Sequence, residues 1–157
     1  MKSDIYLLAG LIFDELGAVE LAAADMYRRF AASFPADRIF WQSLAEDEDS
    51  HAVLVAKLKA ILLKNGAPFE IVGPGSAVLA AFRQSVEQQS WRLQRGEISR
   101  RAALFIARDL ERTVIERNFY GAVKSGKPEF RMVKEKIRRE TEGHLERLQN
   151  YLLTIFP

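Results

Sequence analysis

Proline and glycine divide this chain into a few long segments, and that division limits what the chain can fold into. The interruptions lie at Pro35, at 66–68, at 73–75, at Gly96 and at 126–128. Both residues break regular structure, so each cluster marks a turn or a loop. The segments between them have the apolar spacing of about 3.6 residues that is typical of helices, and few β-branched runs. The sequence therefore predicts an all-α protein in which no segment forms a strand.

Four long helices and one shorter helix follow from this spacing. Asp37 and Ser99 are suited to cap the starts of the second and third long helices, and Asn65-Gly66 is a typical helix end. The predicted ranges are 5 or 11 to 34, 37 to 65, 76 to 95, 99 to 124, and 128 or 129 to near the end of the chain. The shorter helix, 76 to 95, falls within a long connection. We therefore expect one domain over 1–157, built from two helical hairpins that a long crossover joins.

Polar residues occupy positions on the inward faces of the four long helices where apolar residues are expected. They are Glu20, Glu48, His51, Glu111 and His144. Each has apolar residues three or four positions away on the same helix face. An ionised carboxylate in an apolar core is costly, and several such groups also repel one another. A cation that uses their oxygens as ligands removes both costs, so these five residues predict a metal site.

The strength of this prediction comes from the combination of residues. A spacing of three places Glu48 and His51 one helical turn apart on the same face, where both can reach one ion. Such a pair alone fits a helix surface equally well, and a single inward histidine fits an ordinary core residue. The chain has only two histidines, however. Both lie on inward faces, and the other two long helices each place a glutamate inward, which favours a metal site.

The amino-acid composition limits which metal sites and which partners are expected for this chain. The chain has no cysteine, which excludes disulfides, thiolate zinc sites and iron–sulfur clusters within it and favours iron, manganese or zinc on carboxylate and imidazole ligands. The 23 Lys and Arg residues nearly balance the 21 Asp and Glu residues and are scattered, so no nucleic-acid partner is expected. The early apolar stretch at 5–13 is too short to span a membrane and lacks the features of a signal peptide. A cytoplasmic protein without a membrane partner is expected.

The segments around the polar residues carry a family resemblance. They are ELAAADMY (20–27), LAEDEDSHA (44–52), ALFIARDLE (103–111) and ETEGHL (140–145). They resemble the rubrerythrin-type branch of the ferritin-like superfamily over most of the chain. The resemblance implies a ferritin-like four-helix bundle whose long crossover carries a short extra helix. It also implies iron, as one or two ions, on the residues that match the family's ligands: Glu20, Glu48, His51, Glu111 and His144.

One ligand position departs from the family pattern. Thr141 stands where the pattern has a glutamate. With three carboxylates a pair of divalent ions keeps a charge of about +1, so we expect weaker binding in the half that contains His144. The alternative is a single ion on Glu20, Glu48 and His51.

Three nearby glutamates are possible replacements or competitors. One residue step on a helix turns a side chain by about 100°. Glu142 is therefore expected to face solvent, whereas Glu140 lies closer to the inward face and is the candidate substitute for the missing ligand. Glu116 is an alternative to Glu111, but its neighbours are more polar.

The resemblance implies an oxidoreductase that acts on peroxide, oxygen or ferrous iron. Without cysteine the chain cannot form the rubredoxin domain of a full rubrerythrin, so an external electron donor is expected if the chain is redox active. The alternative is a bundle that has lost catalysis and acts as a binding or assembly module, and Thr141 favours it. A hydrolytic zinc site is a third hypothesis.

The sequence does not decide between two possible roles for each of three aromatic residues. Tyr27 is either a hydrogen-bond donor or radical sink near the site, or a core aromatic residue. A homodimer is a further expectation, with Trp91 and Phe130 either at its contact or in the core.

Overall fold

Helices make up most of the chain in the computed structural model, which describes residues 2–64, 66 and 68–157. The α-helices in these residues are α1 (Lys2–Ser33), α2 (Arg38–Lys64), α3 (Ser76–Gln94), α4 (Arg100–Glu116) and α5 (Pro128–Ile155). The all-α class is confirmed, and α3 is the short helix expected in the crossover. The prediction that no segment forms a strand is wrong. The segments β1 (Phe69–Ile71) and β2 (Val123–Ser125) pair antiparallel. Each strand has three residues, which are too few to show the alternation of polar and apolar residues that marks a strand in a sequence.

The first two helices begin at slightly different residues from those predicted. Helix α1 begins at Lys2, three residues before the earlier of the two predicted starts. Leu7 and Leu8 near its start are exposed, so no inward stripe marks where the helix begins. Helix α2 begins at Arg38, and Asp37 ends a short 3-10 turn instead of capping the helix. The carboxylate of Asp37 accepts hydrogen bonds from other side chains, as described in the Discussion. Asn65, the predicted helix end, lies outside the described residues.

The largest difference lies at the end of α4. This helix begins as predicted, because the Ser99 hydroxyl accepts a hydrogen bond from the Ala102 amide at 3.1 Å. It ends at Glu116, whereas the prediction extended it to Lys124. The chain turns at Asn118, whose φ of 48° lies in the left-handed region that asparagine tolerates better than most residues. A 3-10 turn (Phe119–Gly121) and β2 follow.

The packing of the helices places one core between them. Helix α1 packs against α2 and α3, α5 packs against α2 and α4, and β1 pairs with β2. The largest side chains with less than 2% exposure include Trp41, Tyr27, Phe30, Phe119 and Phe130. Burying one such side chain contributes roughly 1.5–3 kcal/mol. Phe130 is therefore a core residue and not a dimer contact, whereas Trp91 is 65% exposed.

The helices were also compared with the requirements for a membrane span. Among the described residues, none of the helices combines the length and the apolar character needed to cross a bilayer.

Candidate metal centre

Four helices bring the five predicted residues together in the core. Glu20 comes from α1, Glu48 and His51 from α2, Glu111 from α4, and His144 from α5. All five residues are at most 5% exposed. The structure therefore places each of them inward, and it gathers them at one position between the helices.

Glu48 lies at the middle of this cluster, between the two histidines. Its Oε2 is 3.3 Å from Nδ1 of His51, and its Oε1 is 2.8 Å from Nδ1 of His144. Both Nδ1 atoms and Glu48 Oε1 are buried without a hydrogen-bond partner among the described residues. The contacts of Glu48 with the two histidines are therefore short but do not have the geometry of hydrogen bonds. One ligand atom from each of the three residues lies within 4.8 Å of the others, so the cluster could hold a metal ion.

Glu20 lies near His51, and Glu111 lies near His144. Oε2 of Glu20 is 3.8 Å from Nδ1 of His51, and Oε1 of Glu111 is 3.8 Å from Nδ1 of His144. Two donor sets result, and Glu48 belongs to both. The first set is Glu20, Glu48 and His51, and the second set is Glu111, Glu48 and His144. Each set has one imidazole and two carboxylates. The weaker binding expected in the half that contains His144 stays a prediction.

The outer ring nitrogens of the two histidines contact acidic side chains. Nε2 of His51 is 2.9 Å from Glu140 Oε2, and Nε2 of His144 is 3.3 Å from Asp47 Oδ2. A carboxylate at one ring nitrogen keeps the proton there and leaves the other nitrogen free to bind a metal. The rings lie face to face, with centroids 5.1 Å apart and planes inclined by 22°. The contacts with Glu140 and Asp47 therefore direct both Nδ1 atoms toward Glu48.

Glu140 does not take the position that was considered for it, which was that of a metal ligand in place of Thr141. Its carboxylate meets the outer nitrogen of His51 and does not replace the carboxylate missing at Thr141. Asp47 was not identified by the sequence analysis. The sequence does contain one sign of the role of Asp47. Asp47 precedes His51 by four residues, and Glu140 precedes His144 by the same number.

Two buried tyrosines donate hydrogen bonds to Glu20 and Glu111. The Tyr27 hydroxyl donates to Glu111 Oε1 at 2.6 Å, and the Tyr120 hydroxyl donates to Glu20 Oε1. Burial raises the pKa of both phenols well above its usual value, and the nearby carboxylates raise it further. Both tyrosines are therefore donors at neutral pH. Tyr27 is also a core aromatic residue, because its ring stacks on Trp41 with centroids 5.6 Å apart.

Tyr120 is a second residue of the site that was not identified from the sequence. The predicted helix to Lys124 included this residue without giving it a role at the site. The left-handed turn at Asn118 instead turns the chain back, and Tyr120 is 9% exposed. No spacing rule for helices could place its hydroxyl against Glu20, 100 residues away in the chain.

The remaining candidates occupy the positions that their neighbours suggest. Thr141 is buried, and its hydroxyl donates to the Ile137 carbonyl of its own helix at 2.9 Å. Glu142 is exposed and pairs with Arg138, as expected for a side chain that faces solvent. Glu116 is exposed whereas Glu111 is buried, so Glu111 is the residue of α4 that belongs to the cluster.

Protons balance the charge of the cluster when no metal is bound. Burial alone would lower the pKa of His51, but Glu20 and Glu48 outweigh it and raise that pKa to about 11. Burial would also lower the pKa of His144, but Glu111 and Glu48 outweigh burial and raise that pKa to about 10. Burial raises the pKa of Glu48 well above its usual value, as do the charges of Glu20 and Glu111. A metal ion must therefore displace protons from the imidazoles to bind here.

The chain was compared with known proteins. No protein-family model matches it, and no curated protein or solved structure matches it either. The resemblance to rubrerythrin-type proteins therefore rests on the segments quoted above and stays a prediction.

Proposed function

We propose that this chain is a ferritin-like, rubrerythrin-type protein that binds two iron ions, and that it reduces peroxide or oxygen with electrons from ferrous iron or an external donor. The observation that carries the proposal is the position of Glu48 between two inward-facing histidine nitrogens. Each buried polar atom left without a partner costs about 1–3 kcal/mol, and three such atoms converge here. Two cations, one beside each histidine, would satisfy all three atoms.

Each residue of the cluster has a defined part in this proposal. Glu20, Glu48 and His51 would hold one ion, and Glu111, Glu48 and His144 would hold the other. Iron suits this mixture of carboxylate and imidazole ligands, and when bound it supplies one-electron redox chemistry. Manganese and zinc suit the same ligands, and metal analysis separates them.

The chain's own residues prepare the site for this chemistry. The Tyr120 hydroxyl occupies Oε1 of Glu20 and leaves Oε2, the oxygen near His51, for a metal. The Tyr27 hydroxyl donates to Oε1 of Glu111, which is also the oxygen near His144, and so fixes the position of that carboxylate. Asp47 and Glu140 hold the imidazoles by their outer nitrogens. Three carboxylates leave two divalent ions with a charge of about +1, which favours an electron-rich oxygen substrate.

The metal part of the proposal is tested by loading the purified chain with ferrous iron without oxygen and counting bound iron by mass spectrometry. We expect two ions per chain. Glu48→Gln should lose both, because it removes the shared charge while keeping the side-chain shape. Glu142→Gln is the matched control on the surface of α5 and should keep both. Binding of iron by Glu48→Gln at the level of the wild type would contradict the shared-ligand arrangement.

The redox part is tested separately with hydrogen peroxide. Two electrons and two protons convert one hydrogen peroxide to two water molecules. A ferrous-loaded chain should therefore consume one peroxide for every two iron ions oxidised, as measured by a dye assay for remaining peroxide. Iron binding without peroxide or oxygen consumption would reject the oxidoreductase and leave an iron-binding protein.

A second candidate is a metal-free binding or assembly module with the same fold. It is favoured by the protonated histidines, which neutralise the cluster without a metal, and by Thr141, whose hydroxyl is engaged with Ile137. This candidate predicts no bound iron after ferrous loading and no change on Glu48→Gln beyond stability.

A further inference from the structure

A pocket of about 660 Å³ opens between the start of α5 and the segment that follows α4. Tyr120 is one of its lining residues, and the hydroxyl of the same residue donates to Glu20. Tyr120 thus belongs both to the lining of the pocket and to the surroundings of the candidate metal centre. Asn118 and Gly121 from the turn after α4 also line the pocket, together with Pro128 and Met132 from α5.

The lining of this pocket is strongly basic. Its cationic residues are Lys124, Arg131, Lys134 and Arg138. Glu135 is the one carboxylate that lines it, and this residue pairs with Arg138. The other three cations make no ion pair within the described part of the chain. This includes Lys124, although Glu70 lies opposite it in the β1–β2 pair.

Lys134 shows how closely these charges approach one another. Its side chain is half-buried, and its ammonium donates to the Val123 carbonyl at 3.4 Å. Burial lowers the pKa of Lys134, and the charges of Lys124 and Arg131 lower it further. Like charges that are held together without a counter-charge are unfavourable. An anion in the pocket would remove that cost.

The first turn of α5 adds a second source of positive potential. Pro128 and Arg131 of this turn line the pocket, and no side chain caps the start of the helix. The first amides of a helix have no partner within it, and the helix dipole places partial positive charge there. Helix starts of this kind bind phosphate groups in many proteins.

We propose that this pocket binds a small phosphate-bearing molecule. A phosphate dianion offers several acceptor oxygens to the arginine and lysine groups, which are common phosphate ligands. The pocket is larger than a free phosphate, and its size is usual for sites that bind small organic ligands. Pro128 and Met132 supply apolar surface for an organic group, so a phosphate ester fits better than inorganic phosphate. This site does not depend on a metal in the neighbouring centre.

The test is calorimetric titration of the metal-free chain with inorganic phosphate and with phenyl phosphate. We expect saturable binding at one site, with phenyl phosphate bound more tightly. Replacing two of the cations, in Arg131→Gln with Lys134→Gln, should weaken binding by about tenfold or more, because each removes a charge-assisted hydrogen bond. Arg139→Gln removes one positive charge from the same helix outside the pocket and should leave the affinity within about twofold.

Several results would overturn the proposal. These are the absence of saturable phosphate binding, equal affinity in the double variant, and an equal loss in the Arg139→Gln control. Binding of a polyglutamate peptide without either phosphate compound would also overturn it and would indicate an acidic protein partner. If the double variant does not fold, Lys124→Gln, at the exposed position of β2, tests the same lining. Ferrous loading of the variants should be unchanged, which separates this site from the metal centre.

Discussion

Asp47 belongs to the same helix as His51, yet its carboxylate contacts His144 on α5, 3.3 Å from Nε2. The opposite contact runs from Glu140 on α5 to Nε2 of His51 on α2. Each helix thus supplies one histidine together with the acid that orients the histidine of the other helix. This exchange connects α2 and α5 at the level of Glu48. It also fixes both rings, so that neither can turn Nδ1 away without losing a contact.

Asp47→Asn should weaken metal binding without unfolding the chain. Loss of an acid that orients a histidine ligand costs about 10–100-fold in metal affinity. The affinity can be measured by competition with a chelator of known strength, with helicity followed by circular dichroism. Asp49→Asn is the matched control, because it removes the same group from α2 at an exposed pair with Arg28. Equal affinities for Asp47→Asn and wild type would show that His144 needs no orienting acid.

Tyr27→Phe should destabilise the metal-free chain. The change leaves the buried Glu111 without the hydroxyl that donates to it at 2.6 Å. A hydrogen bond to a charged group contributes about 1.5–3 kcal/mol, so we expect a decrease of that size in the free energy of unfolding. Urea denaturation followed by circular dichroism measures it. A decrease below about 0.5 kcal/mol, the usual range for surface substitutions, would mean that Glu111 finds another donor.

Metal binding should strengthen as the pH rises and should release protons. In the metal-free chain the pKa of His51 is about 11 and that of His144 about 10, so both rings are protonated at pH 7. Each ring must lose a proton to bind a metal through Nδ1. Affinity should therefore increase by up to about tenfold per pH unit for each proton released, and a weakly buffered indicator dye should record that release. Binding that is independent of pH between 6 and 9 would contradict this assignment.

The same protonation sets the pH dependence of the metal-free fold. Both histidines have a higher pKa in the folded chain than the usual value of 6.5, so the folded state binds more protons. Their contribution to stability is complete below pH 6.5 and is lost as the pH rises toward 10–11. The urea midpoint of the metal-free chain should fall over that window. A bound metal replaces the protons, so the loaded chain should show a smaller fall.

The sequence predicted those features that repeat along a helix. The inward spacing around Leu44, Val55 and Leu58 locates α2, and all three are buried. The same logic found Glu48 and His51, because a charged residue at a buried position needs a compensating partner. Features that depend on one residue or on a distant segment were not predictable. The left-handed turn at Asn118, the strand pair and the contact of Tyr120 with Glu20 belong to that class.

Asp37, remote from the candidate metal centre, connects three parts of the fold. Its carboxylate is 1% exposed and accepts two hydrogen bonds from Arg100 at 2.7 Å and one from the Tyr151 hydroxyl at 2.6 Å. Asp37→Asn should lower the free energy of unfolding by about 1–3 kcal/mol at pH 7, as measured with urea. Asp109→Asn, on the exposed surface of α4, is the control and should have little effect.

The pH dependence of this variant separates charge from packing. The hydrogen bonds from Arg100 lower the pKa of Asp37 below its usual value of 3.8. The ionised carboxylate therefore contributes stability above pH 3.8, and that contribution is lost as the pH falls through the lowered pKa of the folded chain. The difference between wild type and Asp37→Asn should shrink when urea unfolding is repeated near pH 2.5. A difference that stays the same at both pH values would mean that side-chain shape, and not the charge of Asp37, holds the 3-10 turn against α4 and α5.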